Sequence, residues 1–236
     1  VLAEMLMGET DPATVERVVG RMMSEADRAT DTLEDLMELS RIEVGAERSS
    51  DRVRVSDVIR GALDRVTQLA AQCEVSISTL EPVANGEKRS DGIVVVGDRR
   101  QLVSAVGNLV ENAVKYSDPH SSVQVRAREV DGWVEIAVAD QGIGIPQRDL
   151  DRVFERFYRV DRARSRTTGG TGLGLSIVRN VASNHGGDVV VTSVEGEGST
   201  FVLRLPSEAT WAAAHPSPVE HPDAAESGRD HDQGVA

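Results

Sequence analysis

Residues 122–130 (SVQVRAREV) and 133–139 (WVEIAVA) alternate apolar with polar or small side chains and meet across Asp131–Gly132. Alternation at period two gives each strand one core face, and Asp-Gly supplies the backbone angles of a tight hairpin turn. A second pair, DVVVTSV (188–194) and STFVLRL (199–205), is joined across Glu195–Gly198. Two hairpins commit the carboxy-terminal half of the chain to antiparallel sheet. Helical patterns interrupt the strands. In residues 99–116, Leu102, Val106, Leu109, Ala113 and Val114 form an apolar stripe, with Asp98 placed to cap its start. SIVRNVASNHGG (176–187) reads as a helix ending at glycine. Upstream, residues 53–73 run from a short strand into a helix with Ser56 as candidate cap. VSISTL (75–80) and GIVVVG (92–97) read as strands separated by a loop. The pattern predicts an α+β chain: a two-layer α/β sandwich with one mixed sheet covered by helices on one face.

The amino-terminal part differs. Residues 1–7 and about 14–44 read as two helices around a turn, with Thr10, Asp11 or Thr14 as cap of the second. Val15, Val18, Val19, Met22, Ala26, Ala29, Leu33, Leu36, Met37 and Leu39 recur at helical spacing in the second helix. Two helices cannot bury such a stripe alone, so a homodimer through a helical hairpin is expected. The simpler alternative is one amphipathic helix lying on the next domain. The opening VLAEMLM reads as the last turns of a helix begun earlier, which makes the hairpin partial. Three regions follow: a hairpin segment 1–47, a domain 48–206, and a tail 207–236. The tail, rich in proline and acids, is expected to be disordered.

Bulk properties exclude some functions. A net charge of -13 argues against direct nucleic-acid binding. Aromatics make up 3% of residues, so the core must be aliphatic. The single Cys73 forms no internal disulfide, which fits a reducing compartment. No run approaches the roughly 20 apolar residues of a membrane span, so any membrane attachment is expected from a portion outside this sequence.

Three polar or glycine-rich segments carry the chemistry. Asn108, Asn112 and Lys115 fall on one helix face at spacings of four and three. Carboxamide oxygens are hard neutral ligands suited to Mg²⁺ shared with phosphates, and lysine reaches a phosphate as a point charge. A solvated polar face would look the same. DQGIGIP (140–146) follows an apolar strand directly, so Asp140 sits where ligands of α/β sheets gather. Its carboxylate can accept from an exocyclic amine such as that of adenine, and Gly142 and Gly144 permit close backbone approach. GGTGLGLSIV (169–178) opens a helix whose amides can bind phosphate. No strand leads directly into it and no Gly-Lys follows, so it is neither a dinucleotide fingerprint nor a P-loop.

Taken in order, these segments resemble those of the sensor histidine kinases, within the superfamily of gyrase B, Hsp90 and MutL. NLVENAVKYS is similar to the family's N box, DQGIGIP to its first glycine box, RVFERFYRVDRARSR to its F box and GGTGLGLSIV to its second glycine box. The likeness spans about residues 50–205, and the stretch after Arg159 resembles actinobacterial, phosphate-responsive kinases. It implies a Bergerat-type ATP-binding fold with ATP and Mg²⁺ as cofactors. By this resemblance Asn108 and Asn112 would hold Mg²⁺, while Lys115 and Tyr116 would contact phosphates and nucleotide. Asp140 would read the adenine amine beside Gly142, Ile143, Gly144 and Ile145. Phe157, Arg159 and the arginines after it would belong to a mobile lid. Gly170, Thr171, Gly172, Leu173, Gly174 and Leu175 would meet the phosphates. The implied activity is transfer of the γ-phosphoryl group of ATP to histidine, then to a response regulator receiver domain, in the cytoplasmic portion of a membrane sensor.

ATP-hydrolysing relatives carry a glutamate base where Asn108 stands, and a carboxamide cannot accept that proton. Slow hydrolysis and transfer to a positioned imidazole are therefore expected. The family's His-Glu-x-x-Thr-Pro acceptor stretch does not occur here. His120, His185, His215, His221 and His231 all read as solvated, so no catalytic acceptor is assigned and self-phosphorylation is not expected. The alternatives are an anti-sigma-factor-type serine kinase, disfavoured by the helical segment and F box, and an inactive nucleotide-gated interaction module.

Overall fold

The computed structural model describes residues 11–43, 51–80, 92–160 and 170–215. Helix α1 spans Pro12–Glu43. Asp11 caps it, its carboxylate accepting from the Thr14 amide at 3.2 Å and the Thr14 hydroxyl at 2.9 Å. The helix expected over residues 1–7, and Thr10, lie outside the described residues. Strand β1 (Asp51–Arg54) runs straight into α2 (Val55–Gln72). Ser56 is therefore not its cap: the cap position falls on Arg54, with no side-chain hydrogen bond, because no turn separates strand from helix.

Strand β2 (Ser76–Leu80), β3 (Val94–Gly97), α3 (Arg99–Tyr116), β4 (Ser122–Val130) and β5 (Trp133–Ala139) follow. After a 3-10 turn at Gln147–Asp149 come α4 (Gly174–Asn184), β6 (Asp188–Val194), β7 (Gly198–Pro206) and α5 (Glu208–Ala214). Five strands form a mixed sheet in the order β2-β4-β5-β7-β6, with β2 parallel to β4 and the other pairs antiparallel. Both expected hairpins are present, with Val130 opposite Trp133 and Val194 opposite Gly198. The single sheet is corrected in one respect: β1 and β3 pair only with each other, as a separate two-stranded ribbon.

The fold is an α+β two-layer sandwich. The inward rows Val123, Val125 and Ala127, Val134, Ile136 and Val138, and Phe201, Leu203 and Leu205 are buried in one cluster with Leu102, Val106 and Leu109 of α3 and Ile177 of α4. Each fully buried aliphatic side chain contributes about 1.5–3 kcal/mol, so this layer contact supports the whole scaffold. The outward rows form a shallow open hollow lined by Arg126, Arg128, Ala137 and Val202. There Glu135 forms ion pairs with Arg128 at 2.5 Å and Arg204 at 3.3 Å.

The expected disordered tail does not begin at residue 207. Ser207 accepts from the Thr210 amide at 3.3 Å and starts α5, and Thr210 donates to the Gly132 carbonyl at 2.7 Å. Glu208 pairs with Arg52 at 2.5 Å, which ties this short helix to β1. Residues 216–236, with Pro216, Pro218, Pro222, His221 and His231, lie outside the described residues.

Candidate nucleotide-binding site

The site is organised by the polar face of α3. Asp98 fixes the start of the helix, accepting from the Arg100 amide at 2.7 Å and the Gln101 amide at 3.4 Å. Its own amide donates to His185 Nε2 at 3.0 Å, and His185 Nδ1 lies 2.7 Å from the Val181 carbonyl of α4. His185 is 6% exposed, which corrects the expectation of a solvated side chain. Burial pushes its pKa down. A neutral imidazole stapling α3 to α4 is a structural joint.

Ten residues after Asp98, Asn108 Nδ2 donates to the Ser104 carbonyl at 3.0 Å. This turns Oδ1 toward α4, where a Cβ added to Gly174 would stand 2.6 Å from it. Asn112 is half-buried one turn further along the same face. Lys115 Nζ is bonded to Glu111, so this carboxylate accompanies the site's ammonium group and is not merely solvated. Tyr116 ends the helix at 38% exposure.

The carbonyl of Tyr116 meets the segment after β5. Ile143 N donates to it at 3.2 Å, and a Cβ on Gly142 would collide with it. Gly142 is required here by close approach. Asp140 Oδ1 accepts from the Gly142 amide at 2.9 Å and the Ser199 amide at 3.2 Å. Among the described residues Oδ2 has no hydrogen-bond partner. Burial pushes the Asp140 pKa up, against the pull of the two amides. Gly144 has φ +65°, and a Cβ there would strike the Val194 carbonyl. Ile145 N donates to Ser193 Oγ at 2.8 Å, while Ile143 is 37% exposed.

The start of α4 closes the opposite side. Gly172 has φ +74° and packs on the backbone of Phe157, whose amide donates to the Gly172 carbonyl at 2.9 Å. Phe157 itself has φ +61° and is 58% exposed. Thr171 Oγ1 accepts from Leu173 N at 3.1 Å, just ahead of α4. Leu173 is buried, Leu175 packs on the core, and Gly170 and Arg159 are half-buried. Residues 161–169, with the arginines after Arg159 and Gly169, lie outside the described residues.

Residues far apart in sequence thus share one surface. Gly174 faces Asn108, and Gly142 and Ile143 meet Tyr116 at the far end of the same helix, with Asn112 between. Sequence reasoning missed Ser104, Ser199 and Asp35 of α1, whose Oδ2 accepts from the Thr171 hydroxyl. Ser104 could have been found from its four-residue spacing to Asn108; the other two carry no local signal.

Residues 97–209 match the family described as histidine kinase-, DNA gyrase B- and HSP90-like ATPase. A solved mycobacterial sensor histidine kinase, MprB, is 32% identical, with a TM-score of 0.54, and the alignment covers 67% of this chain and 97% of that one. The chain belongs to the sensor histidine kinase family. The SenX3 kinase of Mycolicibacterium smegmatis is 44% identical over 233 residues, covering 98% of this histidine kinase chain and 56% of the relative. SenX3 of Mycobacterium tuberculosis is 43% identical over 210 residues, covering 88% and 49%. The chain spans about half the length of these curated relatives. Full-length ShkA, solved in complex with AMPPNP, shares the fold with a TM-score of 0.64, at 24% identity, over 84% of this chain and 40% of that one. Among the described residues no helix is long and apolar enough to cross a membrane.

Proposed function

We propose that this chain binds Mg-ATP between α3, the Asp140–Ile145 segment and the start of α4, and transfers the γ-phosphoryl group to a histidine. A receiver-domain aspartate of a response regulator then takes the group. The observation that carries the reading is Asn108 facing Gly174: the α3 side chain opposite the start of α4, where phosphates would lie, is a carboxamide. A carboxamide cannot take a proton from water, so bound ATP is kept for a better nucleophile.

In this reading Asp140 accepts from the adenine amine through Oδ2, and the backbone of Gly142, Ile143, Gly144 and Ile145 borders the base. Tyr116 and Lys115 approach the ribose and phosphates, with Lys115 shared by Glu111. The start of α4, Gly170, Thr171, Gly172, Leu173 and Gly174, with Leu175 behind them, borders the phosphates. Phe157 and Arg159 approach the phosphates. The donor set fits Mg²⁺: Asn108 and Asn112 offer neutral oxygens, and the Asn108 amide nitrogen is already held by Ser104. Such an ion would offset charge on the transferring group.

The acceptor histidine is presented by a separate helix, because the chain's described histidines have other settings. His185 is buried, His215 stacks on Trp211 with ring centroids 4.1 Å apart, and His120 sits in an exposed turn. The exposed Val19, Met22, Leu33, Leu36 and Met37 of α1 form the homodimer surface of the hairpin segment 1–47.

The test supplies a histidine-bearing acceptor hairpin and labelled ATP, then a receiver domain. Acid-labile phosphohistidine followed by transfer to the receiver is expected. Phosphoserine on an added partner, or bound nucleotide with no transfer, would overturn the proposal.

A further inference from the structure

Asp35 on α1 lies 136 residues before Thr171, yet its Oδ2 accepts a 2.5 Å hydrogen bond from the Thr171 hydroxyl. The same hydroxyl oxygen accepts from Leu173 N, immediately before α4. A half-buried carboxylate is therefore seated at the amino end of α4, where backbone amides favour negative charge. Leu39 and Ile42 follow Asp35 at spacings of four and three, each 3% exposed, so one face of α1 is docked. Asn184, at the far end of α4, donates to the Ile42 carbonyl at 3.0 Å. The seat is electrostatically opposed: burial disfavours the Asp35 charge, and Glu38 and Asp31 on α1 and Glu111 on α3 add repulsion.

We propose that Asp35 lowers nucleotide affinity by holding Thr171 and placing a carboxylate at the start of α4, so that α1 docking and triphosphate binding oppose one another. The inference rests on the reading of the pocket given above. A carboxylate and a phosphate of like sign cannot share a partly desolvated helix start without mutual penalty. The coupling is reciprocal: nucleotide must loosen α1 by the same factor by which docked α1 weakens nucleotide.

The experiment is a calorimetric titration of the chain with a non-hydrolysable ATP analogue and Mg²⁺. Wild type is compared with Asp35→Asn and Asp35→Ala. Asp35→Asn keeps an oxygen for the Thr171 hydroxyl and removes the charge; it is expected to tighten binding about tenfold, within the usual span of such couplings. Amide exchange around Leu39 and Ile42 is expected to quicken when nucleotide is added to wild type. A purely structural Asp35 would leave Asp35→Asn at wild-type affinity, and Asp35→Ala weaker. Equal or weaker binding by Asp35→Asn, with wild type binding normally, overturns this inference alone. No binding by wild type and variants alike overturns the pocket and the inference together.

Discussion

Asn108 and Gly174 face each other across the junction of α3 and α4, with the carboxamide Oδ1 lying 2.6 Å from where a glycine Cβ would stand. No side chain fits that gap without moving Asn108. Gly174→Ala is expected to displace the proposed magnesium ligand and weaken Mg-nucleotide binding at least tenfold, about 1.4 kcal/mol. Titration with and without Mg²⁺ checks this, since the deficit should shrink when the ion is withheld.

At the other end of α3 the close contact is between backbones. Gly142→Ala drives a Cβ into the Tyr116 carbonyl, a group that a side-chain rotation cannot clear. A loss of roughly 1–3 kcal/mol is expected from overpacking, read as a lower denaturant midpoint with unchanged slope.

Asp140 should show opposite effects on stability and binding. Burial raises its carboxyl pKa above the ordinary value of 3.8. A raised folded-state pKa means stability is fullest below the unfolded value and is lost as pH rises through the folded one. Asp140→Asn is therefore expected to be at least as stable as wild type at neutral pH, because it need not bury a charge. Adenine nucleotide binding by the same variant should fall tenfold or more. Wild-type affinity should decline in acid as Asp140 protonates. Denaturant melts and titrations on one sample separate the two effects.

His185 gives the reverse pH dependence. Its folded pKa is depressed by burial, so its contribution to stability is present above the ordinary 6.5 and is lost as pH falls through the lowered value. Protonated Nε2 could no longer accept from the Asp98 amide. Comparing unfolding free energies of wild type and His185→Gln between pH about 8 and about 5, around the ordinary histidine value, isolates this group from the carboxylates. Wild type should lose more stability across the interval than the variant.

What the sequence revealed follows from the range of each signal. The hairpins at Asp131–Gly132 and 195–198 were legible because alternation and turn chemistry are local, and Asp98 because a cap needs only its next three residues. Ser56 misled because β1 enters α2 without a turn, so a polar residue was read as a cap where none was needed. Helix α5 was hidden by the proline and acid content around it, although Ser207 and Thr210 stand at cap spacing and Trp211 is half-buried. His185 looked like a helix-end residue; its burial depends on Gly97 leaving room for the ring, a contact across 88 positions. In the site, side chains on α3 were legible from helical spacing, but the Glu111–Lys115 pair and the Asp35–Thr171 bond depend on rotamer choice and on docking between elements.

The central claim is tested most directly by titrating the chain with Mg²⁺ and a non-hydrolysable ATP analogue while following backbone amide resonances. Saturable one-to-one binding is expected, with the largest shifts at Asn112, Gly142 and Gly172 together, and with loss of affinity in Asn112→Ala. Shifts that leave these three residues still, or affinity that is indifferent to both Mg²⁺ and Asn112, would contradict it.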